Sequence, residues 1–457
     1  MPNFESLARR YRFQALGKAC RDHGIKSLLV AHHGDDQAET VLMRLVHGHR
    51  SLGLAGIKRD SAIPECQGLH GIHESGGIDY PGKARRQAMH SSPGNSGKKV
   101  ALLSRAVALG ENSSRPKRPF SLVSEAGGVR VYRPLLEFNK ARLIATCQAE
   151  KMEWFEDHTN NDPTLTMRNA VRYMLGSHKM PAALTTASLL EVARKFRSKT
   201  DLLGQTTRIL FKKCIIADLN TRIGTISISF PSLDQAAFPL ELLPWENRGQ
   251  LAASLLRKVI MIATPQKEVH LSSLHGAVER VFPELTPIND PPAVAIPFTT
   301  SGVFFQPVVP KEGPGVNILS SKKCYWIVSR QPHRSGEQPT ICFPASKEPS
   351  AWAEWTSWEL YDGRFWFRVK NPTADSLLIR PLKQDDLVAF ETSLRKRLKI
   401  LAPAEVRWTL PAIAILREDG SERILALPTI NIRDLEFGRK LRWEVRYKKV
   451  DLDATSE

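Results

Sequence analysis

The sequence predicts an α/β sheet domain at its amino end, followed by a mixed helical region and a β-rich carboxyl-terminal domain. An apolar, strand-like run over residues 27–31 leads into an amphipathic helical pattern through Val41, Leu42, Leu45 and Val46. This change of period indicates a strand-to-helix junction. From about residue 298 onward, short runs rich in β-branched and aromatic residues succeed one another, which favours strands.

The amino-terminal elements begin with a helix at residues 4–24. Its apolar side is expected at Leu7, Tyr11 and Leu16, and Gly24 suits the carboxyl-terminal cap. The next predicted elements are a strand at 26–31, a helix ending near 47, a strand from 129 and a helix at 139–150. The sheet domain therefore comprises residues 1–64 and 128–180, and its strands are expected to be parallel.

Two further regions follow the sheet domain. Residues 181–290 predict a helical and mixed region, with a helical segment at 182–215, a strand at 225–230 and a helix at 246–263. The Pro-rich stretch 286–297 predicts a linker. Strand candidates in the β-rich domain, residues 298–457, are 302–309, 323–330, 364–369 and 424–428.

Residues 65–127 interrupt the sheet domain with a different composition. They are rich in Gly, Ser and Pro and lack apolar periodicity, so they predict a flexible insertion. The run from Ser75 to Asp79 within them resembles a phosphate-binding Ser-Gly-Gly-x-Asp loop. Such a loop should follow a buried strand and open a helix, and neither pattern flanks this run, so we do not expect a phosphate site here.

Composition points to a nucleic-acid partner. The net charge is +18 and the isoelectric point about 9.7, which favours a polyanion, although solubility or a basic insertion would also account for the charge. The six cysteines are scattered, without the spacing of a disulfide scaffold, a zinc site or an iron–sulfur site. No apolar run could cross a membrane, and no secretory signal is visible. We therefore expect a cytoplasmic or mitochondrial-matrix protein that is neither secreted nor bound to a membrane.

The junction after residue 31 is the most informative feature of the chain. Two histidines follow the strand, and the carboxylates of Asp35, Asp36 and Glu39 occupy the start of the helix. Ligands bind beyond the carboxyl ends of strands in open α/β sheets. Acids at a helix start also complement the helix dipole, but this pattern exceeds what capping requires. We therefore predict a functional site at the junction.

Two motif blocks resemble those of the tRNA(Ile)-lysidine synthases, which belong to the PP-loop ATP pyrophosphatases. The first block runs through Ala31-His32-His33-Gly34-Asp35-Asp36-Gln37-Ala38-Glu39-Thr40, Arg44-Leu45 and Gly53-Leu54-Ala55-Gly56-Ile57. The second contains Arg133-Pro134-Leu135-Leu136, Trp154-Phe155-Glu156-Asp157, Asn160, Asp162-Pro163 and Arg168-Asn169-x-x-Arg172. Together they cover residues 5–64 and 129–175.

The resemblance implies a PP-loop domain with an adenine nucleotide alpha-hydrolase-like fold and the activity of a carbon–nitrogen ligase. ATP, with Mg²⁺, would activate the wobble cytidine of a tRNA(Ile) as an adenylate, and the amine of free lysine would then form lysidine. The implied catalytic residues are His33, Asp36, Glu39 and Arg168. The implied nucleotide- or substrate-binding residues are His32, Asp35, Gln37, Asn169 and Arg172. We expect no metal site made by the protein alone.

The residues themselves are compatible with that chemistry. Asp36 and Glu39 lie one helical turn apart, which suits the ammonium group of a lysine. Arg168 and Arg172 could pair on phosphates or on an RNA backbone, or could lie on a solvated helix face. His32 or His33 could position a phosphate or a proton, or be structural.

Basic clusters outside the sheet domain are candidates for tRNA binding. They are Arg194, Lys195, Arg197 and Lys199 on one helix, Arg395, Lys396, Arg397 and Lys399 near the carboxyl end, and the tail at residues 439–449. Each cluster could also be an ordinary solvated face.

The family's Ser-Gly-Gly-x-Asp-Ser loop would precede the histidine–aspartate motif, and the 30 residues before Ala31 do not supply it. We therefore expect these 457 residues alone not to exchange ATP and pyrophosphate. A catalytically silent tRNA-binding relative remains an alternative. A PP-loop tRNA thiolase is another, but those enzymes commonly carry paired cysteines.

Overall fold

The computed structural model describes residues 4–78, 121–233, 248–285, 295–308, 324–334, 336, 338–345, 354–433 and 441–452. The helices are α1 (Phe4–Asp22), α2 (Gly34–Val46), α3 (Lys140–Ala149), α4 (Met167–Ser177), α5 (Thr186–Lys213), α6 (Arg248–Ala263), α7 (His275–Val281) and α8 (Thr392–Leu401). The strands up to residue 308 are β1 (Ser27–Leu29), β2 (Asp60–Ala62), β3 (Gly77–Ile78), β4 (Glu125–Ala126), β5 (Arg130–Tyr132), β6 (Ile215–Asn220), β7 (Thr225–Ser229), β8 (Phe298–Thr300) and β9 (Val303–Val308). The later strands are β10 (Tyr325–Arg330), β11 (Ile341–Phe343), β12 (Glu359–Tyr361), β13 (Phe365–Lys370), β14 (Ser376–Pro381), β15 (Pro411–Leu416), β16 (Glu422–Leu427), β17 (Ile432–Arg433) and β18 (Arg442–Tyr447).

The chain divides into two units by its internal contacts. The N-terminal unit contains residues 1–67, 71–74 and 127–206, and the C-terminal unit contains residues 68–70, 75–126 and 207–457. The division falls within α5, whereas the sequence predicted a domain boundary at 180/181.

A three-stranded sheet in the order β1-β5-β2 forms the centre of the N-terminal unit. β1 and β5 run parallel, as the sequence predicted, and Leu28 lies opposite Val131. β2 was not predicted, and it pairs with β5 in the antiparallel direction. The parallel pair brings the residues after β1 and those after β5 to the same end of the sheet.

Apolar packing fixes α2 against α4 and α5. Ala38, Val41 and Leu42 are buried on one side of α2, where they pack with Val171 of α4 and Leu189 of α5. This contact sets α2 alongside α4, so that polar residues one turn away on each helix can meet.

The predicted apolar side of α1 was wrong at two of its three positions, and Leu16 is half-buried. Tyr11 is 64% exposed and Leu7 is 45% exposed, whereas Phe13 and Cys20 are buried. Gly17 completes the buried face, because a Cβ there would lie 2.6 Å from the side chain of Ile72. The helix therefore packs through a small residue that the apolar pattern did not reveal.

The C-terminal unit is β-rich, as predicted. Antiparallel sheets run in the orders β6-β7-β10-β9-β8, β11-β14-β15-β16-β17 and β12-β13-β18, and α6 packs on β7 and β10. A core that includes Phe365, Phe367, Leu377 and Ile413 lies between the second and third sheets.

Both ends of the predicted insertion pack against other parts of the protein. Ile72 and Ser75 are fully buried at its start, and β3 pairs with β4 near its end. Residues 79–120 lie outside the described residues, so their flexibility stays a prediction. The predicted linker at 286–297 also lies mostly outside them.

Candidate functional site at the start of α2

The chain turns sharply between β1 and α2. The amide of Gly34 donates a 2.7 Å hydrogen bond to the carbonyl of Phe138, and a Cβ at Gly34 would lie 3.1 Å from that oxygen. This close approach favours glycine. The carboxylate of Asp36 accepts a 2.9 Å hydrogen bond from the amide of His33, which caps the helix. Asp36 is therefore fixed at the carboxyl end of β1.

A buried carboxylate on α2 pairs with a partly exposed guanidinium on α4. Arg172 Nε donates to Glu39 Oε1 at 2.7 Å, and its Nη2 donates to Oε2 at 3.2 Å. The same Nη2 lies 3.9 Å from Asp36 Oδ1, and Nη1 donates to Asn160 Oδ1 at 3.0 Å. Glu39 is only 2% exposed. The two predicted carboxylates and one predicted arginine thus meet in one cluster.

Arg168 lies on the same side of α4, one turn earlier. Its Nε is 4.0 Å from Glu39 Oε2, and this buried nitrogen has no hydrogen-bond partner among the described residues. Arg168 and Arg172 are therefore not a solvated helix face. They balance the charges of Asp36 and Glu39, and Arg168 keeps a donor for a further acceptor.

The two histidines have different surroundings. Burial lowers the pKa of His32; Asp36 opposes this shift, and the charges of Arg133 and Arg168 add to it. His32 is therefore neutral near pH 7, and its Nδ1 has no partner within the described part of the chain. His33 lies between two acids, with Nδ1 3.5 Å from Asp35 and Nε2 3.6 Å from Asp36.

Burial also acts on Glu39. It raises the pKa of this carboxyl above its usual value, while the hydrogen bonds and charge of Arg172 oppose the rise. Ionised Glu39 therefore depends on its arginine partner.

Three predicted binding residues are engaged inside the fold. Asp35 accepts a 2.7 Å hydrogen bond from the amide of Lys140 at the start of α3. Gln37 bonds both backbone groups of Ile57, at 2.9 and 2.6 Å. Asn169 donates to the carbonyls of Thr159 and Asp162, both at 2.9 Å. These contacts position the loops beside the cluster.

Gly56 allows Gln37 to reach its loop. Gly56 has φ +70°, and a Cβ there would collide with Gln37 Oε1. Gly48 also has a left-handed φ, +76°, but its Cβ would meet open space. We expect Gly56→Ala to destabilise the N-terminal unit by about 1–3 kcal/mol more than Gly48→Ala, because only the former adds a clash to the backbone strain. Thermal unfolding of both variants measures this difference, and equal losses would contradict it.

Sequence reasoning assigned no role to Arg133, which also reaches the site. It follows β5, and its Nη1 donates to the carbonyl of Lys58 at 3.1 Å and to Ser61 Oγ at 3.2 Å. Its buried Nε has no partner in the described structure. Its place directly after a parallel strand was the signal that could have identified it.

The cluster on α5 divides into two sets. Arg197 turns inward, where its Nη2 donates to the carbonyl of Ile57 at 3.2 Å. Arg194, Lys195 and Lys199 are exposed. Arg194 pairs with Glu191, and Lys199 lies 5.6 Å from the ring centre of Phe196. Three of the four predicted cations therefore face solvent.

The cluster on α8 also faces solvent. The guanidinium of Arg395 donates hydrogen bonds to the carbonyls of Phe390 and Val388. The other members, Lys396, Arg397 and Lys399, are exposed. Residues 439–440 of the third cluster lie outside the described residues.

The glycine run at Ser75 does not open a helix, as expected. The amide of Gly76 donates to the buried carboxylate of Glu125 at 2.9 Å, and residues 77–78 continue into β3. The carboxylate of Glu125 thus binds the amide that a phosphate-binding loop would offer to a phosphate. Asp79 lies outside the described residues.

The profile of the PP-loop domain family matches residues 1–72 and 116–179. The chain carries a PP-loop domain. A PP-loop domain implies ATP binding. The cluster described above lies within the matched residues. Among the described helices, none is long and apolar enough to cross a membrane.

Curated relatives extend the similarity beyond the PP-loop domain. A probable tRNA(Ile)-lysidine synthase of Schizosaccharomyces pombe is 26% identical over 442 residues, which is 94% of this chain and 74% of the relative. A tRNA(Ile)-lysidine synthase of Wolbachia pipientis is 24% identical over 94% of this chain and 72% of its own length. One from Streptococcus agalactiae is 46% identical over 63 residues, 14% of this chain and 15% of the relative. The resemblance to this family is confirmed.

Proposed function

We propose that the protein is a tRNA(Ile)-lysidine synthase, which activates the wobble cytidine of a tRNA(Ile) with ATP and joins lysine to it. The observation that carries this proposal is similarity to lysidine synthases over 94% of the chain, well beyond the PP-loop domain. A shared ATP-binding domain alone would not distinguish a ligase from other PP-loop proteins.

The cluster at the start of α2 supports the proposal chemically. Unpartnered nitrogens of Arg168 and His32 suit the phosphates of ATP, because both are buried next to a polar site. Asp36 is the carboxylate for the ammonium group of lysine, since Glu39 is enclosed and already bound by Arg172. His33, beside Asp36, is the group that can hold or accept a proton from the attacking amine.

Mg²⁺ would enter with the nucleotide. The described residues contain no group of three or more acidic, histidine or cysteine side chains arranged for a metal ion. Mg²⁺ is commonly held by one or two carboxylates together with substrate phosphates. Bound with ATP, Mg²⁺ would neutralise phosphate charge, and the protein would supply the hydrogen-bond donors around it.

A catalytically silent tRNA-binding protein is the second candidate. Titration with ATP separates the two candidates, because a silent relative need not bind the nucleotide. The thiolase alternative has no support from the cysteines: among the described residues, Cys20, Cys66 and Cys214 are buried and none forms a disulfide.

The direct test uses the protein purified from the cells that make it. Incubated with tRNA(Ile), ATP and ¹⁴C-lysine, it is expected to transfer label to the tRNA only when ATP is present. The recombinant 457-residue chain, assayed in parallel for ATP–pyrophosphate exchange, tests whether these residues suffice. ATP-independent labelling or no labelling by the native protein would contradict the proposed function.

Basic residues on α8 and α5 give a quantitative prediction for tRNA binding. Replacing the exposed Lys396, Arg397 and Lys399 with Gln should weaken tRNA binding and reduce its log–log salt slope by about 2–3 if all three contact phosphates. The matched change on α5 replaces Arg194, Lys195 and Lys199. Unchanged affinity and slope in both variants would show that neither surface binds RNA.

A further inference from the structure

A cavity in the C-terminal unit has features of a binding site that the proposed reaction does not use. Its volume is about 350 Å³, and its lining includes His333, Gln338, Lys383, Gln384 and Trp408. This size lies at the lower end of the range for small-ligand sites. A cavity of this size can hold one aromatic ring system with its substituents, but not a double helix.

The orientation of His333 is fixed by a buried chain of charges. Arg330 Nη2 donates to His333 Nδ1 at 3.2 Å, and the same guanidinium is held by Asp362 at 3.2 and 3.3 Å. Asp362 also accepts a 2.8 Å hydrogen bond from the fully buried Arg364. Arg364 in turn donates to the carbonyl of Thr409, the neighbour of Trp408. The network therefore links His333 to the backbone next to Trp408, and both residues line the cavity.

This network also fixes the proton on the imidazole. A guanidinium can only donate, so Nδ1 of His333 is the acceptor and carries no proton. Burial lowers the pKa of His333 to about 4, and Arg330 and Arg364 add to this shift while Asp362 opposes it. The neutral ring therefore carries its proton on Nε2. That N–H is buried and has no acceptor among the described residues.

The lining chemistry suits an unpaired nucleotide. Trp408 lines the cavity, although it also packs on the apolar core and Arg407 lies 5.8 Å from its ring centre. An indole edge or face in a cavity can contact a base without requiring a particular sequence. The amides of Gln338 and Gln384 and the His333 N–H can bond the edge of a base. Lys383 Nζ donates to Glu422 Oε2 at 3.1 Å, and Arg380 donates to the same oxygen. Because Lys383 is also partly exposed, it is the cation that can contact a phosphate.

We propose that this cavity binds one unpaired nucleotide of the tRNA, away from the reacting cytidine. The proposal rests on the proposed function, because it takes tRNA as the substrate. His333 donates to the base, and Lys383 contacts the adjoining phosphate. Because the two residues recognise different parts of the nucleotide, their removal has different consequences.

The test compares three variants of the full chain in tRNA(Ile) binding over a range of salt concentrations. His333→Phe keeps a ring but removes the N–H, and should weaken binding about five- to tenfold without changing the salt slope. Lys383→Gln should reduce the slope by about 0.7–0.9. Lys267 is an exposed cation that is not among the lining residues, so Lys267→Gln is the control of equal charge and should change affinity little.

The possible outcomes are distinct. Wild-type protein that does not bind tRNA overturns the proposed function as well. Wild-type binding that His333→Phe leaves unchanged overturns only the nucleotide site. A third outcome is that AMP stabilises the wild type, and that His333→Phe loses this stabilisation but keeps its affinity for tRNA. This result would assign the cavity to a free nucleotide and would overturn its assignment to RNA. If His333→Phe does not fold, ultraviolet crosslinking decides: nucleotide adducts on peptides with His333 or Trp408 support the site, and adducts confined to other peptides contradict it.

Discussion

Asp36→Asn is expected to abolish lysine-dependent turnover while leaving the protein folded. The asparagine oxygen can still accept the hydrogen bond from the His33 amide, but the charge that faces Arg172 is lost. The proposed partner of the lysine ammonium is lost with it. Loss of one partner from a desolvated charge contact costs about 2–5 kcal/mol, which corresponds to at least about 30-fold in kcat/KM. Label transfer from ¹⁴C-lysine to tRNA(Ile) measures the effect.

Asp35→Asn is the matched control for this change. Asp35 lies next to Asp36 in the sequence, but its carboxylate accepts the Lys140 amide, a bond that asparagine can retain. We expect its kcat/KM to stay within about threefold of wild type, a difference below about 1 kcal/mol. Similar losses in both variants would show that total charge at the helix start, rather than Asp36 itself, matters.

Arg172→Met is expected to produce the largest loss of stability. It leaves Glu39, which is 2% exposed, without the two hydrogen bonds that hold its charge. Breaking a fully buried ion pair costs about 3–5 kcal/mol. Because the Arg172 side chain is 35% exposed, we expect a loss near the lower end of this range, about 3 kcal/mol. Hydrogen exchange of the α2 and α4 amides measures the loss locally, which matters because the chain has two units.

The double variant Glu39→Met/Arg172→Met tests the cause. Removing both charges should recover most of the stability, because the buried charge of Glu39 is removed together with its partner. A double variant as unstable as Arg172→Met would show that the arginine acts through packing instead.

The pH dependence of Arg172→Met has a defined sign. Burial already raises the pKa of Glu39, and loss of Arg172 removes the hydrogen bond and the charge that chiefly oppose this shift, while the charge of Arg168 remains. A carboxyl whose folded pKa exceeds its unfolded value binds a proton more readily in the folded state. The destabilisation should therefore diminish as the pH falls from about 8 to about 5. The double variant should lack this recovery.

Local patterns predicted the elements around the site well. The apolar run at residues 27–31 predicted β1, and the periodic apolar residues after it predicted α2. The acidic residues marked the start of that helix. The predicted strands 225–230 and 364–369 correspond to β7 and β13. These elements are defined by period and composition, which a sequence displays directly.

Long-range partnerships could not be predicted in the same way. Glu39 and Arg172 are 133 residues apart, and only the packing of α2 on α4 brings them together. Gln37 and Asn169 belong to the motifs of the family, yet their hydrogen bonds hold loops. On α1, Gly17 rather than Leu7 or Tyr11 marks the buried side, because close packing selected a small residue.

The most direct test of the central claim is mass spectrometry of the wobble nucleoside of tRNA(Ile) from cells fed isotopically labelled lysine. Depletion of this protein should replace labelled lysidine with unmodified cytidine, and the wild-type gene should restore it. The Asp36→Asn gene should fail to restore it, whereas the Asp35→Asn gene should succeed. Persistence of labelled lysidine after depletion, or full rescue by Asp36→Asn, would contradict the assignment of this activity to the protein and its α2–α4 cluster.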